Sequence, residues 1–203
     1  SFNNKKRGEI MSIFKNLAKN LGLTNITQPK KKYATVGEKK SDEDICIVGL
    51  EKNDRVLKWL NKAYLEPHEN LDHFKVILPK SNGSGAIGEV LSTPLIGEPL
   101  IGEPLIGHTQ TFISIGKFSE KNSAKDCFKY IKTKFTRALL GTLKVTQDNK
   151  KSTWSNVPIQ NFGEDSDIDW SKSIRDIDKQ LYKKYSLSDE EINFIEEKVK
   201  EMN

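Results

Sequence analysis

The sequence is short of the features that mark membrane, disulfide-rich and metal-binding proteins. No apolar run approaches the roughly 18 residues that span a bilayer, and no secretory leader opens the chain. Cys46 and Cys127 lie in apolar stretches, which favours two reduced thiols in a cytoplasmic protein over one disulfide. His68 and His73 are five residues apart, off the spacing that places two ligands on one helix face. We therefore expect no membrane partner and no metal site.

Catalytic signatures are also missing. The chain has no Gly-x-Ser-x-Gly elbow, no Walker loop and no Asn/Asp-Pro-Pro-aromatic motif of the kind found in amine-directed methyltransferases. Residues 83–88 match Gly-x-Gly-x-x-Gly, but Pro94 follows too closely for a long helix to present its N-terminus to a pyrophosphate. We expect no catalytic residue and no bound cofactor in this chain.

Two acidic clusters leave an enzymatic alternative open. Asp42-Glu43-Asp44 and Asp165-x-Asp167-x-Asp169 could hold a divalent cation for nuclease chemistry. The Glu38-x-Lys40 element precedes the first cluster, whereas a common restriction nuclease places such an element after its aspartate. Solvated loops and helix starts are the favoured interpretation, and a metal-dependent restriction endonuclease fragment is the alternative.

Charge is distributed unevenly along the 203 residues. Residues 1–40 carry ten Lys/Arg against two acids, and residues 117–151 carry ten against three. Residues 164–203 carry seven bases against twelve acids. A basic body with an acidic tail is typical of a protein with a polyanionic partner, although lysines that merely solvate helix faces give the same pattern.

The apolar spacing predicts an α+β protein with a mixed or antiparallel sheet, several packed helices and a C-terminal helical pair. Strands are predicted at 45–50, 74–78 and 109–115, and helices at 10–21, from Asn53 or Asp54 to Tyr64, and at 123–140. Ser123 with Asp126, and Ser188 with Glu191, resemble capping boxes. Four cations are expected to lie largely off the buried stripe of the 123–140 helix: Lys125, Lys129, Lys132 and Arg137.

One internal repeat stands out, with Pro-Leu-Ile-Gly-Glu at 94–98 and 99–103 and Pro-Leu-Ile-Gly at 104–107. A period of five is too short for a solenoid. Because every unit contains Pro and Gly, which disrupt helices and central strands, we expect an extended or turning loop.

The positive features point to nucleic acid. The loop at Lys80, Asn82, Gly83 and Gly85 pairs a cation with glycines, so its backbone can approach a phosphate or a groove closely. A second group centres on Gln110, whose amide can bond an adenine edge, between two hydroxyls that suit phosphates: Thr109, Gln110 and Thr111. A basic helix face and the residues just beyond it complete the candidates: Lys134, Arg137, Lys144 and Gln147.

These motifs occur in an order that resembles a known family. The resemblance runs from about residue 45 to 203, through 74–85, Gly88–Pro94, Gly107–Phe112, Tyr130–Arg137, Leu143–Gln147, Trp154–Pro158 and Ile177–Ile192. It is similar to the C-terminal region of adenine-specific DNA methyltransferases in bacterial type II restriction–modification systems. The chain departs from that pattern by one extra Pro-Leu-Ile-Gly-Glu unit.

The resemblance implies a target recognition domain that reads double-stranded DNA. It implies that S-adenosylmethionine binds in an upstream methyltransferase domain of the same parent chain, and that the candidate residues above lie near DNA. The domains are then a basic helix and linker at 1–40, the DNA-reading domain at 41–163 and a helical appendage at 164–203. A third hypothesis makes the acidic C-terminal helices a protein-interaction surface.

Overall fold

The computed structural model describes residues 34–36, 41–52, 54–64, 68–81, 96–143, 149 and 153–202. These ranges form an α+β protein, as the sequence predicts. The strands are β1 (Ala34–Val36), β2 (Asp44–Glu51), β3 (Asp54–Asn61), β4 (Phe74–Pro79), β5 (Leu100–Gly102), β6 (Ile106–His108) and β7 (Phe112–Phe118). The helices are α1 (Lys121–Lys132), α2 (Lys134–Leu143), α3 (Ile174–Lys184) and α4 (Asp189–Lys198). The predicted N-terminal helix at 10–21 lies outside the described residues.

The first sheet has the strand order β1-β3-β2-β6 and is mixed. β2 and β3 pair in antiparallel fashion from Asp44↔Asn61 to Glu51↔Asp54, whereas β6 runs parallel to β2. β2 contains a continuous apolar run in which Ile45, Ile47 and Val48 are buried. A strand of this kind needs cover on both faces, which explains its central place in the sheet.

The helix predicted from residue 53 or 54 to Tyr64 is wrong, because most of that segment is strand β3. Glu51 pairs with Asp54, so the two strands are joined by a two-residue connection in which Lys52 has a φ of +50°. Burial along β3 then alternates, with Lys58 and Leu60 buried between more exposed neighbours. Burial therefore follows the period of two that a sheet imposes. The apolar residues do not, because Leu57 is exposed while Lys58 is buried, and their spacing fits a helix as well.

The second sheet has the order β5-β4-β7, and its central strand β4 buries four consecutive residues from Lys75 to Leu78. The expected strand at 109–115 is present as β7 but begins at Phe112, because residues 109–112 form a turn. The repeat supplies two edge strands, β5 in this sheet and β6 in the first sheet. The sequence predicts an extended or turning loop for the repeat, so these two short strands are a correction, although both lie at sheet edges, where proline and glycine are tolerated.

The single helix predicted at 123–140 is two helices, α1 and α2, separated at Thr133. Thr133 has extended backbone, and its Oγ1 accepts a hydrogen bond from Thr136 N at 3.1 Å, as an N-cap does. The predicted Ser123 capping box is also wrong. α1 begins earlier, after Glu120, and Ser123 Oγ instead donates to Phe162 O at 3.0 Å.

The predicted C-terminal helix pair is confirmed as α3 and α4. Ser173 Oγ accepts from Asp176 N at the start of α3, and Ser188 with Glu191 forms the predicted capping box of α4. None of the described helices is long and apolar enough to cross a membrane. Cys46 and Cys127 are both free thiols.

The chain divides into two compact units whose bounds differ from the expected domains. The first takes its described residues from Ser1–His73 and Gly102–Phe112, and the second from Phe74–Ile101 and Ile113–Asn203. The C-terminal helices are part of the second unit, since Ile177 and Leu181 share one apolar core with Tyr130 and Phe135. Residues 164–202 are therefore integral to this unit, whereas the sequence suggests a separate appendage.

Candidate nucleic-acid interface

A short, hydrogen-bonded turn between β6 and β7 presents the Thr-Gln-Thr motif. Thr109 N donates to Val48 O at 2.9 Å, and Phe112 N donates to Thr109 O at 3.0 Å, which closes the turn. The hydroxyls of Thr109 and Thr111 lie 2.6 Å apart and share a hydrogen bond. Gln110 and Thr111 are exposed at the tip. The turn is thus fixed to the sheet while its amide side chain faces solvent.

The base of this turn is built from aromatic and cationic groups. Phe112 is buried and anchors the C-terminal side of the turn. The Arg55 guanidinium lies 5.6 Å from the centre of the Phe112 ring, a cation–π distance. His108 Nδ1 lies 2.9 Å from Thr109 O, so the tautomer protonated at Nδ1 donates to it. Arg55 itself is exposed.

Arg55 is a candidate contact that the sequence interpretation missed. A helix starting at residue 53 or 54 gave no reason to place Arg55 near the Thr-Gln-Thr motif, which lies some fifty residues away along the chain. What places Arg55 near the turn is the two-residue connection after β2. This connection folds β3 back along β2, and Arg55 lies at the start of β3. An exposed guanidinium at the base of the turn, with an exposed amide at its tip, is a suitable arrangement for one phosphate and one base edge.

Lys80 is the described member of the predicted 80–85 loop. It lies half-buried just after β4, and its carbonyl oxygen accepts a hydrogen bond from Asn149 N at 2.7 Å. The other members, Asn82, Gly83 and Gly85, lie outside the described residues, as do Lys144 and Gln147. Lys80 belongs to the second unit, whereas Thr109, Gln110 and Thr111 belong to the first.

Arg137 is placed differently from its expected position on a DNA-facing surface. Its side chain is fully buried, and its Nε donates to the carbonyl oxygens of Lys132 and Thr133. Its Nη1 donates to Lys200 O at 2.6 Å, which ties α2 to the C-terminal segment. Burial lowers the pKa of Arg137 to about 10, against the opposing attraction of Asp178, so it remains charged at neutral pH. A guanidinium in this position holds the unit together and cannot reach a phosphate.

The other cations of the basic stretch are also engaged inside the second unit. Lys134 Nζ lies 2.7 Å from Glu196 Oε2 and also donates to Glu196 O. Lys129 Nζ donates to Trp170 O at 2.6 Å. Lys132 is buried, which differs from the expected outward position, and pairs with Glu98 at 2.9 Å. The acidic C-terminal tail and the backbone carbonyls near it are thus the partners of much of this basic stretch.

Asp178 is a buried carboxylate at the start of α2. Its carboxylate accepts hydrogen bonds from Lys134 N at 3.0 Å and Phe135 N at 2.8 Å, which caps the start of α2. Burial raises the pKa of Asp178 to about 6, although those two backbone hydrogen bonds act in the opposite direction. A carboxylate at this helix start also meets the positive end of the helix dipole.

The acidic clusters of the nuclease alternative are occupied by local structural contacts. Asp44 is buried and accepts from Ser41 N at 2.9 Å. Asp167 pairs with Lys184 at 2.8 Å, and Asp169 accepts from Ser171 N at 3.0 Å. Within the described part of the chain, no group of three or more His, Cys, Asp or Glu side chains is arranged to hold a metal ion.

Comparison with known proteins gives one short match. No family model matches the chain, and no solved structure matches it. The chain is similar over 34 residues, with 94% identity, to the acetyl-coenzyme A carboxylase carboxyl transferase subunit beta of Fusobacterium nucleatum. The match covers 17% of this chain and 11% of that protein. A shared segment of this length does not show a family for the whole chain.

Proposed function

We propose that this chain is the DNA recognition module of a bacterial restriction–modification adenine methyltransferase. In this proposal it acts in the cytoplasm, binds double-stranded DNA and positions the target adenine. Methyl transfer from S-adenosylmethionine takes place in an upstream domain of the same parent chain. The chain itself carries binding residues and no catalytic ones. The order of the motifs between residues 45 and 203 is what suggests this family.

The observation that carries the proposal is the exposed Thr-Gln-Thr turn. Gln110 stands at the tip of a turn that is fixed by backbone hydrogen bonds at both Thr109 and Phe112. A rigid support reduces the entropy that is lost when a side chain is ordered on binding. A glutamine amide can donate to and accept from adenine N7 and N6 in the major groove, which supplies base preference. Arg55 beside the turn is suited to a phosphate.

This proposal moves the expected DNA contacts away from the basic helix face. Arg137 and Lys132 are buried, and Lys134 is engaged by Glu196. Affinity then depends on exposed cations such as Arg55, on Lys80, and on the basic segments outside the described residues. Log affinity falls as log salt concentration rises, because phosphate contacts release counterions. Each phosphate contact makes this slope steeper by close to one.

The test is DNA binding by the 203-residue chain at low ionic strength, with duplexes selected from a randomised pool. Gln110→Ala is expected to lose discrimination at one base position by about 1–3 kcal/mol, or roughly 5- to 150-fold. Its affinity for random duplex is expected to stay unchanged, because phosphate contacts supply that affinity. Fluorescence anisotropy on matched and single-substituted duplexes measures both quantities.

Asn122→Ala is the matched control, because it removes an exposed amide from the start of α1, away from the turn in sequence. This variant should keep the wild-type base preference. Arg55→Ala should weaken binding to all duplexes alike and reduce the salt slope by about one. The proposal is contradicted if the chain shows no duplex affinity at low salt. The role of the turn is contradicted if Gln110→Ala and wild type discriminate equally between bases.

A further inference from the structure

One face of the first sheet is apolar and only partly covered. The strand register places Cys46 on β2 beside Trp59 on β3 and Ile106 on β6, so these three side chains share the face. Leu57 lies two residues before Trp59 and therefore on the same face. Leu57 is 53% exposed, and the other three are half-buried. Val48, which pairs with Leu57, is fully buried, so the opening is widest along β3. We call this surface the open face.

The opposite face of the same sheet is closed. Ile45, Ile47 and Leu60 are each exposed by 3% or less. Even Lys58 on this face is buried, and its ammonium group pairs with Glu51 at 2.7 Å. The sheet therefore has one complete core face, whereas the open face still exposes apolar side chains that a sheet normally buries.

The sequence of residues 10–21, which lie outside the described residues, suits the open face. Its apolar residues recur at helical spacing: Ile10, Ile13, Phe14, Leu17, Ala18 and Leu21. At the same spacing, polar residues fall on the opposite side: Ser12, Lys15, Asn16 and Lys19. A helix of this length measures about 18 Å, which is shorter than the roughly 26 Å of an eight-residue strand such as β3. One such helix can therefore lie along the opening.

The chain enters the sheet next to the open face. β1 is antiparallel to β3, with Ala34 opposite Trp59. The residues before Ala34 therefore approach from the C-terminal end of β3, where the open face begins. Residues 22–33 join segment 10–21 to β1, and a connection of this length spans up to about 40 Å. This reach is longer than β3, so the connection permits segment 10–21 to lie anywhere on the face.

We propose that segment 10–21 docks on the open face as an amphipathic helix, with its apolar stripe against Leu57 and Trp59. The segment belongs to the same chain, so its effective concentration at the face is of millimolar order, above that of a second copy at micromolar protein concentration. The docked helix completes a second layer on the sheet. Arg55 and Gln110 take no part in this contact, so the proposal and the DNA-recognition function can fail separately.

The thiol of Cys46 reports whether the open face is covered, and its reaction with dithionitrobenzoate in the full 203-residue chain tests the proposal. Phe14→Asp/Leu17→Asp should raise the rate at which Cys46 reacts by at least about tenfold, because the helix no longer protects it. Cys127 is 2% exposed in the core of the second unit, so a folded chain should release one equivalent of thionitrobenzoate. Cys46→Ser should remove that equivalent. If Phe14→Asp/Leu17→Asp releases two equivalents and is therefore unfolded, Phe14→Ala/Leu17→Ala replaces it.

Two matched controls separate docking from a general effect of charge. Ser12→Asp/Asn16→Asp adds the same two charges on the polar side of the segment and should keep the wild-type rate. Leu57→Asp changes the sheet side of the contact and should raise the rate at Cys46 as the segment variant does. Ile159→Asp, at a 96% exposed apolar position of the second unit, should leave the rate unchanged.

The proposal is overturned if Cys46 reacts equally fast in wild type and in the folded segment variant. It is also overturned if the protection of Cys46 increases with protein concentration, because a second copy then covers the open face. Protection that is lost in Ser12→Asp/Asn16→Asp as well would show that added negative charge, and not loss of the apolar stripe, exposes the thiol.

Discussion

The basic stretch of α1 and α2 differs from the Thr-Gln-Thr turn in how well its polar groups can be reached from solvent. In both regions the accessibility is the opposite of what the charge suggests. The basic stretch has the charge expected of a DNA-binding surface, yet Lys132 and Arg137 are buried and Lys134 pairs with Glu196. The turn has no formal charge, yet it presents Gln110 to solvent on a rigid support. Charge density along a sequence therefore does not indicate accessibility. An acidic segment of the same chain can be the partner of a basic one.

The largest expected effect on stability comes from replacing Asp178, the carboxylate that caps α2. Asp178→Ala should lower the free energy of unfolding by about 3–5 kcal/mol, because it removes a carboxylate that attracts the buried Arg137 guanidinium and uncaps α2. Urea unfolding measures the loss. Asp176→Ala, at a half-exposed position in the same helix, should cost about 1 kcal/mol or less. Equal losses in the two variants would contradict the structural role of Asp178.

Arg137→Met separates stability from DNA binding. It removes the hydrogen bonds to the carbonyl oxygens of Lys132, Thr133 and Lys200, and should destabilise the unit by about 2–4 kcal/mol. At a temperature where the variant is fully folded, its DNA affinity and salt slope should equal those of wild type. A salt slope reduced by about one would instead return Arg137 to the DNA surface.

The raised pKa of Asp178 predicts a pH dependence of stability. Its pKa in the folded chain is about 6, above the ordinary value of 3.8, so the folded state binds this proton more tightly than the unfolded state does. The stability that the raised pKa of Asp178 contributes to the fold is therefore complete below pH 3.8, and it is lost as the pH rises toward 6. Between those values, wild type should lose about 1.4 kcal/mol per pH unit relative to Asp178→Asn. Parallel pH profiles from urea titrations would show that Asp178 has an ordinary pKa.

The smallest effect is expected at Lys134. Its ion pair with Glu196 is partly exposed, and solvent screens such pairs, so Lys134→Ala should cost about 0–1 kcal/mol. A double-mutant cycle with Glu196→Ala measures the coupling. A DNA salt slope that falls by about one in Lys134→Ala would indicate that Lys134 leaves Glu196 for a phosphate.

Local patterns predicted the elements that depend on neighbours in sequence. The buried strands β2 and β4 and the helices α3 and α4 follow from their apolar patterns, and the cap of α4 follows from Ser188 with Glu191. The break at Thr133 had a local signal in its hydroxyl, but its second cap comes from Asp178, more than forty residues away. The burial of Arg137 depends on the carbonyl of Lys200, which no local pattern reveals.

The candidate site was predicted in part for the same reason. The side-chain chemistry of Gln110 and Thr111 marks them as candidates, but the spacing predicts a strand at 109–115, whereas both residues are exposed on a turn. Arg55 was missed because Val56, Leu57 and Leu60 fit a helix as well as a strand, and only pairing with β2 decides between them. Pairing of strands and burial of charge are tertiary effects, and they override local preference.

Because the Pro-Leu-Ile-Gly-Glu unit is repeated, a change in the number of units leaves the same residues at the two edge strands. The Leu-Ile-Gly letters recur at 95–97, 100–102 and 105–107, and the last two copies lie in or next to β5 and β6. Loss of residues 99–103 would bring the first copy into the place of β5 without changing the letters at either strand position. A gain or loss of one unit by replication slippage would therefore alter the length of the preceding connection while leaving both sheets the same edge sequences. The module can in this way vary in steps of five residues.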